Sequence, residues 1–303
     1  MRQNKLKGCI FAMLAGLLWS VSGAAGQYLF SVAKVNPGWL TVIRLILSGL
    51  LLLAMAETRE RGRLRQILKN RQDLIRLAAF SVFGLMMVQY SYMKAIACSN
   101  AGTTTAIQYS GEAMVLIVLC IEKKRLPLLP ELAGLVLMLT GITLISTHGD
   151  LTTLALTPQA FFWCILSAVS LMLYTVLPGT IMKKYGNPGI AGSGMLLGGL
   201  LLACLLRFPG PAAPLTLPAV LCAAVIILLG TVVAFTVFFQ SVLEIGPARA
   251  GMLSSIETIA SPLLVALWLH TKFTLWDDIG FVCMLLMVWM LSVPGLKAQK
   301  KTE

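Results

Sequence analysis

LPAVLCAAVIILLGTVVAFTVFFQS, residues 217–241, runs for 25 positions without a charged side chain. A helix needs about 20 apolar residues, at about 1.5 Å each, to cross the ~30 Å hydrocarbon core of a bilayer. This stretch meets that length, and the rest of the chain reads the same way. Nine further apolar segments lie at 8–30, 37–56, 75–97, 101–121, 132–147, 159–182, 189–206, 248–270 and 276–293. The fifth and the tenth of the ten are short and are expected to tilt little or to sit inside the bundle. Only 12% of the 303 residues are charged and 58% are hydrophobic, and the mean hydropathy is +0.86. A water-soluble domain carries about 25% charged residues. So few charges do not cover a soluble surface, and the expected solvent is the bilayer.

The net charge of +12 is not a nucleic-acid signal, because the cations sit in short clusters between apolar runs. With both termini in the cytoplasm, 19 of the 24 Lys and Arg residues fall on the inside, four fall outside, and Arg44 lies within a span. That bias is the positive-inside pattern, and it requires an even number of spans. The basic run Arg59–Arg71 reads either as a lipid-binding amphipathic piece or as an ordinary topogenic loop. Met1–Lys7 is basic and precedes an apolar run that ends without a cleavage site, so it is expected to lead into a retained first helix. Seven scattered cysteines show neither metal spacing nor a disulfide framework. His148 and His270 lie in different loops, which leaves little for a metal site or a histidine base.

The chain repeats itself at an offset of 146 residues. Glu131-Leu-Ala-Gly134 opens an apolar helix ending at Ser146, and Asp277-Asp-Ile-Gly280 opens another ending at Ser292. Each is preceded by a charged junction, Lys123-Lys124-Arg125 or His270-Thr271-Lys272. Before each junction lies a helix with one buried acid, Glu112 or Glu257. Five spans per half is an odd number, so the second half enters the membrane in the opposite sense. The expected fold is an all-α membrane protein of ten transmembrane helices in two inverted five-helix repeats, residues 1–150 and 151–303, with both termini cytoplasmic. Such repeats characterise secondary transporters that rock about a midplane site.

An ionisable side chain at the bilayer centre costs about 2.5–3.5 kcal/mol on insertion scales, so it must face a cavity or a partner. Glu112 shares a helical face with Gln108, beside Tyr109. It reads as a cavity-facing acid for a cation or a proton, or as a hydrogen-bonded packing residue. Glu257 lies in a polar stripe with Ser254 and Ser261, ahead of Pro262, and has the same two readings. Pro262 removes a backbone hydrogen bond and frees a carbonyl for a cavity or a kink. Arg44 can pair with an acid, bind a carboxylate or snorkel, and a structural or snorkelling role is favoured. Trp19, Tyr90, Tyr109, Trp163 and Tyr174 lie inside spans, where they either stack on a ligand or simply pack. Trp39 and Trp276 read as interfacial anchors. Glycines in spans one and seven, among them Gly194 and Gly198, allow close helix approach.

The opening helix AGLLWSVSGAAGQYLF (15–30), Pro37 with Arg44, and the units AIQYSGEAMVLIVLCIEKKRLP (106–127) and SSIETIASPLLVALWLHTKFT (254–274) together resemble the EamA-type ten-helix members of the drug/metabolite transporter superfamily. The resemblance covers about residues 8–293. Gly111-Glu112, Glu257-Thr258 and Thr271-Lys272 depart from the family's usual proline, Glu-Pro and Glu-Arg, which bears on substrate more than on fold. The resemblance implies a central cavity lined by helices one, three, four, six, eight and nine, and transport without ATP. In agreement, the sequence holds no phosphate loop. The expectation is a secondary active exporter of a small organic metabolite, such as an amino acid, amine or drug-like compound, in the cell membrane. Proton coupling is open, no cofactor is expected, and the outward direction comes from the resemblance. The candidate substrate-binding residues are Trp19, Tyr90, Gln108, Tyr109, Glu112, Trp163, Tyr174 and Glu257. Expected partners are the substrate and membrane lipid, with no nucleic acid and a homodimer left open. The rivals are a channel, an uptake carrier and an intramembrane enzyme. The dispersal of the three deep ionisable residues speaks against the last.

Overall fold

A computed structural model describes residues 2–59, 64–122, 124–150 and 154–300. Nine helices among the described residues are long and apolar enough to cross a membrane. They are α1 (Lys5–Ser31), α2 (Pro37–Thr58), α3 (Arg71–Cys98), α4 (Ala101–Glu122), α5 (Leu129–Thr147), α6 (Pro158–Val176), α7 (Asn187–Leu205), α8 (Leu217–Ile245) and α9 (Arg249–Leu269). The tenth, α10 (Leu275–Lys300), has 26 residues, so the expected short last span is instead a long helix. Of the loop cations that set the expected orientation, Arg61, Arg63, Lys123 and Lys301 lie outside the described residues.

Local chemistry fixes the helix ends. The Asn70, Asn100 and Thr157 side chains accept amide hydrogen bonds in the first turns of α3, α4 and α6. His148 and His270 close α5 and α9 in the left-handed conformation, with φ of 48° and 52°. The expected sixth span, 159–182, stops at Val176. Leu177 still has helical backbone, and Pro178 follows, which has no N–H to donate to the helix and so ends its hydrogen-bond ladder. A separate short helix, Gly179–Tyr185, then leads to Gly186 at φ 93°. Within the basic run, Leu64–Lys69 forms a 3-10 helix.

Four helix pairs build the bundle. These are α2 with α7, α5 with α10, α1 with α8, and α3 with α6. Glycines let the first two pairs close. A Cβ on Gly49 would lie 2.7 Å from the Leu196 amide nitrogen, and one on Gly141 would lie 3.1 Å from the Gly280 carbonyl. Exchanging the two halves maps α1–α8 onto α6–α3 and returns the other two pairs to themselves. That is the packing of two inverted five-helix repeats.

The irregularities repeat as well. Phe80–Met86 in α3 and Val225–Val233 in α8 are π-helical. Helix α4 is interrupted at Tyr109, and α9 at Ser255 and Ile256, 146 residues later. Around the first break the Tyr109 amide bonds the Thr105 carbonyl (3.1 Å), and the Glu112 amide bonds the Tyr109 carbonyl (3.0 Å). Around the second, Ser255 bonds Gly251 (3.2 Å) and Thr258 bonds Ser255 (2.9 Å) in the same pattern. Serine hydroxyls reinforce both breaks by donating three residues back, from Ser110 to Ile107 and from Ser255 to Met252. The interruption of α9 thus lies at Ser255 and Ile256, ahead of Pro262. Pro262 sits inside the second half of α9, where it packs on Gly102 of α4.

Candidate functional site

Both acids occupy the first turn of a half-helix that starts at a break, Ser110–Glu122 for Glu112 and Glu257–Leu269 for Glu257. The positive end of the helix dipole favours a carboxylate there. The two acids then differ. Glu257 is 6% exposed. It accepts a hydrogen bond from the Tyr109 hydroxyl at 3.0 Å, and that hydroxyl also lies 3.4 Å from the Ser254 carbonyl. Thus the residue that interrupts α4 bonds the first residue after the interruption of α9, across the two repeats. Glu112 is half-buried, and its carboxylate has no hydrogen bond or ion pair among the described residues. Gln108, likewise half-buried and unbonded, is on the far side of the Tyr109 break from Glu112.

Arg44 belongs to the same region, and of the two favoured roles, structural or snorkelling, its burial removes the second. The side chain is 4% exposed. Its Nε donates to Thr231 Oγ1 at 2.8 Å, and its Nη2 lies 3.5 Å from the Gly230 carbonyl. Its Nη1 is buried without a partner. The π segment of α8 explains the orientation. Its loosened carbonyls take side-chain donors, Thr231 on Ile226 (2.8 Å) and Ser48 of α2 on Ile227 (3.3 Å). Arg44 and Glu257 lie close enough for their charges to interact, but no direct ion pair joins them. Next to them the Tyr92 hydroxyl bonds Thr105 at 2.8 Å, and Thr105 reaches Ser261 at 3.5 Å. A Cβ on Gly23 of α1 would come 3.0 Å from the Tyr92 hydroxyl. Sequence reasoning missed Arg44, Tyr92 and Thr105 as site residues. The one available signal was an arginine deep in an apolar span, which must find partners somewhere.

The candidate aromatics separate into two groups. Trp19 packs against Phe235 and Phe238, with centroids at 5.7 and 5.2 Å. Tyr174 packs against Phe80 (5.8 Å) and Phe235 (6.4 Å). These rings fill the space between α1, α3, α6 and α8 on the side of the bundle that carries the termini. Tyr90 and Trp163 instead meet edge to face at 5.6 Å, nearer the opposite side. Among the described residues no three of His, Cys, Asp and Glu converge as metal ligands.

Polar clasps tie the repeats together at both faces. On the terminal face Asp73 of α3 accepts from Lys184 (2.7 Å) and Tyr185 (2.8 Å), which follow α6. The hydrogen bond to Asp73 holds the Lys184 ammonium above the usual lysine pKa. On the opposite face the Gln27 carboxamide of α1 accepts from the Ala101 amide and donates to Thr271, both at 2.8 Å.

Ten membrane helices in two inverted halves, with charged side chains enclosed where the halves meet, define a multi-pass membrane transporter. The chain belongs to the EamA-like transporter family, whose model matches it twice, at residues 6–147 and 159–293. It is 31% identical, over 287 residues and 95% of each chain, to a protein of Salmonella typhimurium (strain LT2) described as the uncharacterized inner membrane transporter YicL. A protein of known crystal structure shares the fold, with a TM-score of 0.66 at 16% identity over 94% of this chain and 97% of that one.

Proposed function

We propose that this protein is a secondary carrier that exports a small organic metabolite bearing a cationic group, using alternating access about the Tyr109–Glu257 contact. The observation that carries the reading is that hydrogen bond. It joins the broken helices of the two repeats, so any relative movement of the halves works on the carboxylate that would hold the cation. The moving bodies are the two halves, residues 1–150 and 151–303. The clasps at Asp73 and Gln27 are the contacts that alternate as each face opens. Glu112, unbonded in the equivalent half-helix, is available for a second cation or for a coupling proton. The aromatic group around Trp19 and Tyr174 closes the path from the terminal face, and Tyr90 with Trp163 flanks the path from the other. The distribution of basic residues supports termini in the cytoplasm. The inner-membrane location rests on the relative's description, and the outward direction on the family likeness.

The test is a metabolite profile of cells and medium with and without expression of the chain. A Glu112→Gln/Glu257→Gln double variant, confirmed to insert, serves as control. A compound that moves with the wild type and not with the variant supports carrier and site together. A compound moved equally by both keeps the carrier and discards the acids. No difference across a broad panel refutes export.

A further inference from the structure

Two cations stand at the end of α4 where the local backbone suits other residues. Beyond Glu122 the Lys124 amide bonds the Ile121 carbonyl (3.1 Å) and the Arg125 amide bonds the Cys120 carbonyl (3.0 Å), the paired bonds of a Schellman turn. The turn residue is left-handed, a conformation that glycine or asparagine adopts most readily. Here it is Lys124, at φ 48°. The next position commonly packs an apolar side chain back on the helix. Here it is Arg125, whose fork is held by Glu131 of α5 at 2.7 and 2.8 Å. The space that an apolar side chain would fill stays open. It forms a groove of about 420 Å³ between the last turns of α4 and the loop into α5, walled by Ile117, Cys120, Ile121, Leu126 and Pro127 and reached by Lys124 and Arg125. Glu131 also accepts from the Leu128 amide at 2.7 Å, so the loop that walls the groove is pinned. Glu131 answers the charge of Arg125. The Lys124 ammonium has no hydrogen bond or ion pair among the described residues, and Glu122, two residues earlier, does not line the groove.

We propose that this groove binds an anionic phospholipid of the leaflet on the terminal face, with an acyl chain along Ile117 and Ile121 and the headgroup phosphate on Lys124. Apolar walls make poor partners for water, and one uncompensated cation beside them matches an amphiphile with a single negative charge. A soluble anion would leave the apolar wall uncovered, and a neutral lipid would leave Lys124 unpaired. The repeat shows that the arrangement is confined to one leaflet. At the 146-residue offset the opposite face keeps the capping bond, from the Thr274 amide to Asp277 at 2.8 Å, but it has Thr271 in place of Arg125 and Lys272 in place of Leu126. The basic residues mark the groove's face as the cytoplasmic one, where anionic lipids collect. The site is separate from the Tyr109–Glu257 contact and does not depend on what is transported.

The full-length protein in a neutral detergent is titrated with phosphatidylglycerol, with phosphatidylcholine of the same chains, and with glycerol 3-phosphate as a headgroup without chains, and its melting temperature is followed. Phosphatidylglycerol is expected to raise it by several degrees and to act at lower concentration than phosphatidylcholine, while glycerol 3-phosphate does nothing. Lys124→Asn removes the charge and suits the left-handed backbone. Without lipid it should be at least as stable as the wild type, yet it should need about fivefold more phosphatidylglycerol for half of the shift. Ile121→Ser, at an exposed position of the groove wall, keeps the charge and should weaken the response to phosphatidylglycerol as well. Lys272→Asn, on the opposite face, should respond as the wild type does. An unchanged response in Lys124→Asn or in Ile121→Ser overturns the site, and so does an equal loss in Lys272→Asn, which would reduce the effect to general surface charge. Equal action of the two lipids on the wild type overturns the role of Lys124. A shift produced by glycerol 3-phosphate alone overturns the lipid and makes the occupant a soluble anion.

Discussion

Gly111 stands one residue before Glu112 and two after the break in α4. A Cβ placed there would lie 2.5 Å from the Ala168 carbonyl oxygen of α6 and 3.0 Å from Leu171 Cβ. The nearest obstacle is backbone, so no side chain can rotate away. Gly111→Ala must push α4 and α6 apart by close to an ångström. Overpacking of this kind costs about 1–3 kcal/mol, and a rigid backbone obstacle belongs at the upper end. Alanine recovers up to about 1 kcal/mol over glycine in a helix, leaving a net loss of about 2 kcal/mol. Gly251, in the first half of the other broken helix, is the control. Nothing lies within 4 Å of a Cβ there. Gly251→Ala should therefore gain about 0.5–1 kcal/mol through propensity alone. Thermal unfolding in detergent, followed by size-exclusion fluorescence, reads both. At about 2–4 °C per kcal/mol the two variants should move in opposite directions by several degrees. A Gly111→Ala protein as stable as Gly251→Ala would refute the close approach of α4 to α6.

Tyr109→Phe removes the hydroxyl that serves Glu257 and is expected to cost about 1–3 kcal/mol, the range for leaving a buried group unsatisfied. An unchanged melting temperature would mean that the Glu257 carboxyl has found another partner. Asp73→Asn should lower the melting temperature through Lys184. Because the folded pKa of Lys184 is raised, the contribution is complete below the ordinary lysine range and disappears as pH climbs through Lys184's own value. The gap between wild type and Asp73→Asn should thus be widest near neutrality and narrow in alkali, and a gap independent of pH would exclude the ion pair as its source. Phe235→Ala takes the ring that both Trp19 and Tyr174 contact out of the aromatic group. It should speed labelling of a cysteine at position 254 by a water-soluble maleimide added to the terminal face, and unaltered labelling would show that the rings do not close that path.

The ten spans were readable because the demand of the bilayer is local. Any 20-residue window without charge, such as 217–241, reports it directly. The repeat was readable because helix-opening units such as Glu131–Gly134 and Asp277–Gly280 are local too. The breaks at Tyr109 and Ser255 and the two π segments were not, since apolar composition is equally compatible with an unbroken helix. What decides them is tertiary. Within the π segment of α8 the Thr231 hydroxyl accepts from Arg44, 187 residues away in sequence. Tyr109 and Glu257 were singled out separately, as an aromatic and an acid inside spans, and only the fold brings them together. Gln108 and Glu112, four residues apart, stand on either side of the interruption at Tyr109, which their spacing alone did not reveal.

The scaffold is symmetric and the site is not. At the 146-residue offset the counterpart of Tyr109 is Ser255, of Glu257 is Gly111, of Arg44 is Ile190 and of Thr231 is Leu85. Each polar participant faces a small or apolar equivalent in the other half. Movement and recognition therefore make different demands on different residues. Exchange between two access states needs helix pairs of matched energy, and α1–α8 and α6–α3 supply them because they are copies. Recognition of one molecule in one orientation needs the match broken, and Arg44 and Tyr109 of the first half with Thr231 and Glu257 of the second break it along a single diagonal. Substitutions at the packing glycines of the scaffold should accordingly slow every transported compound alike, whereas substitutions on the diagonal should change which compounds are carried.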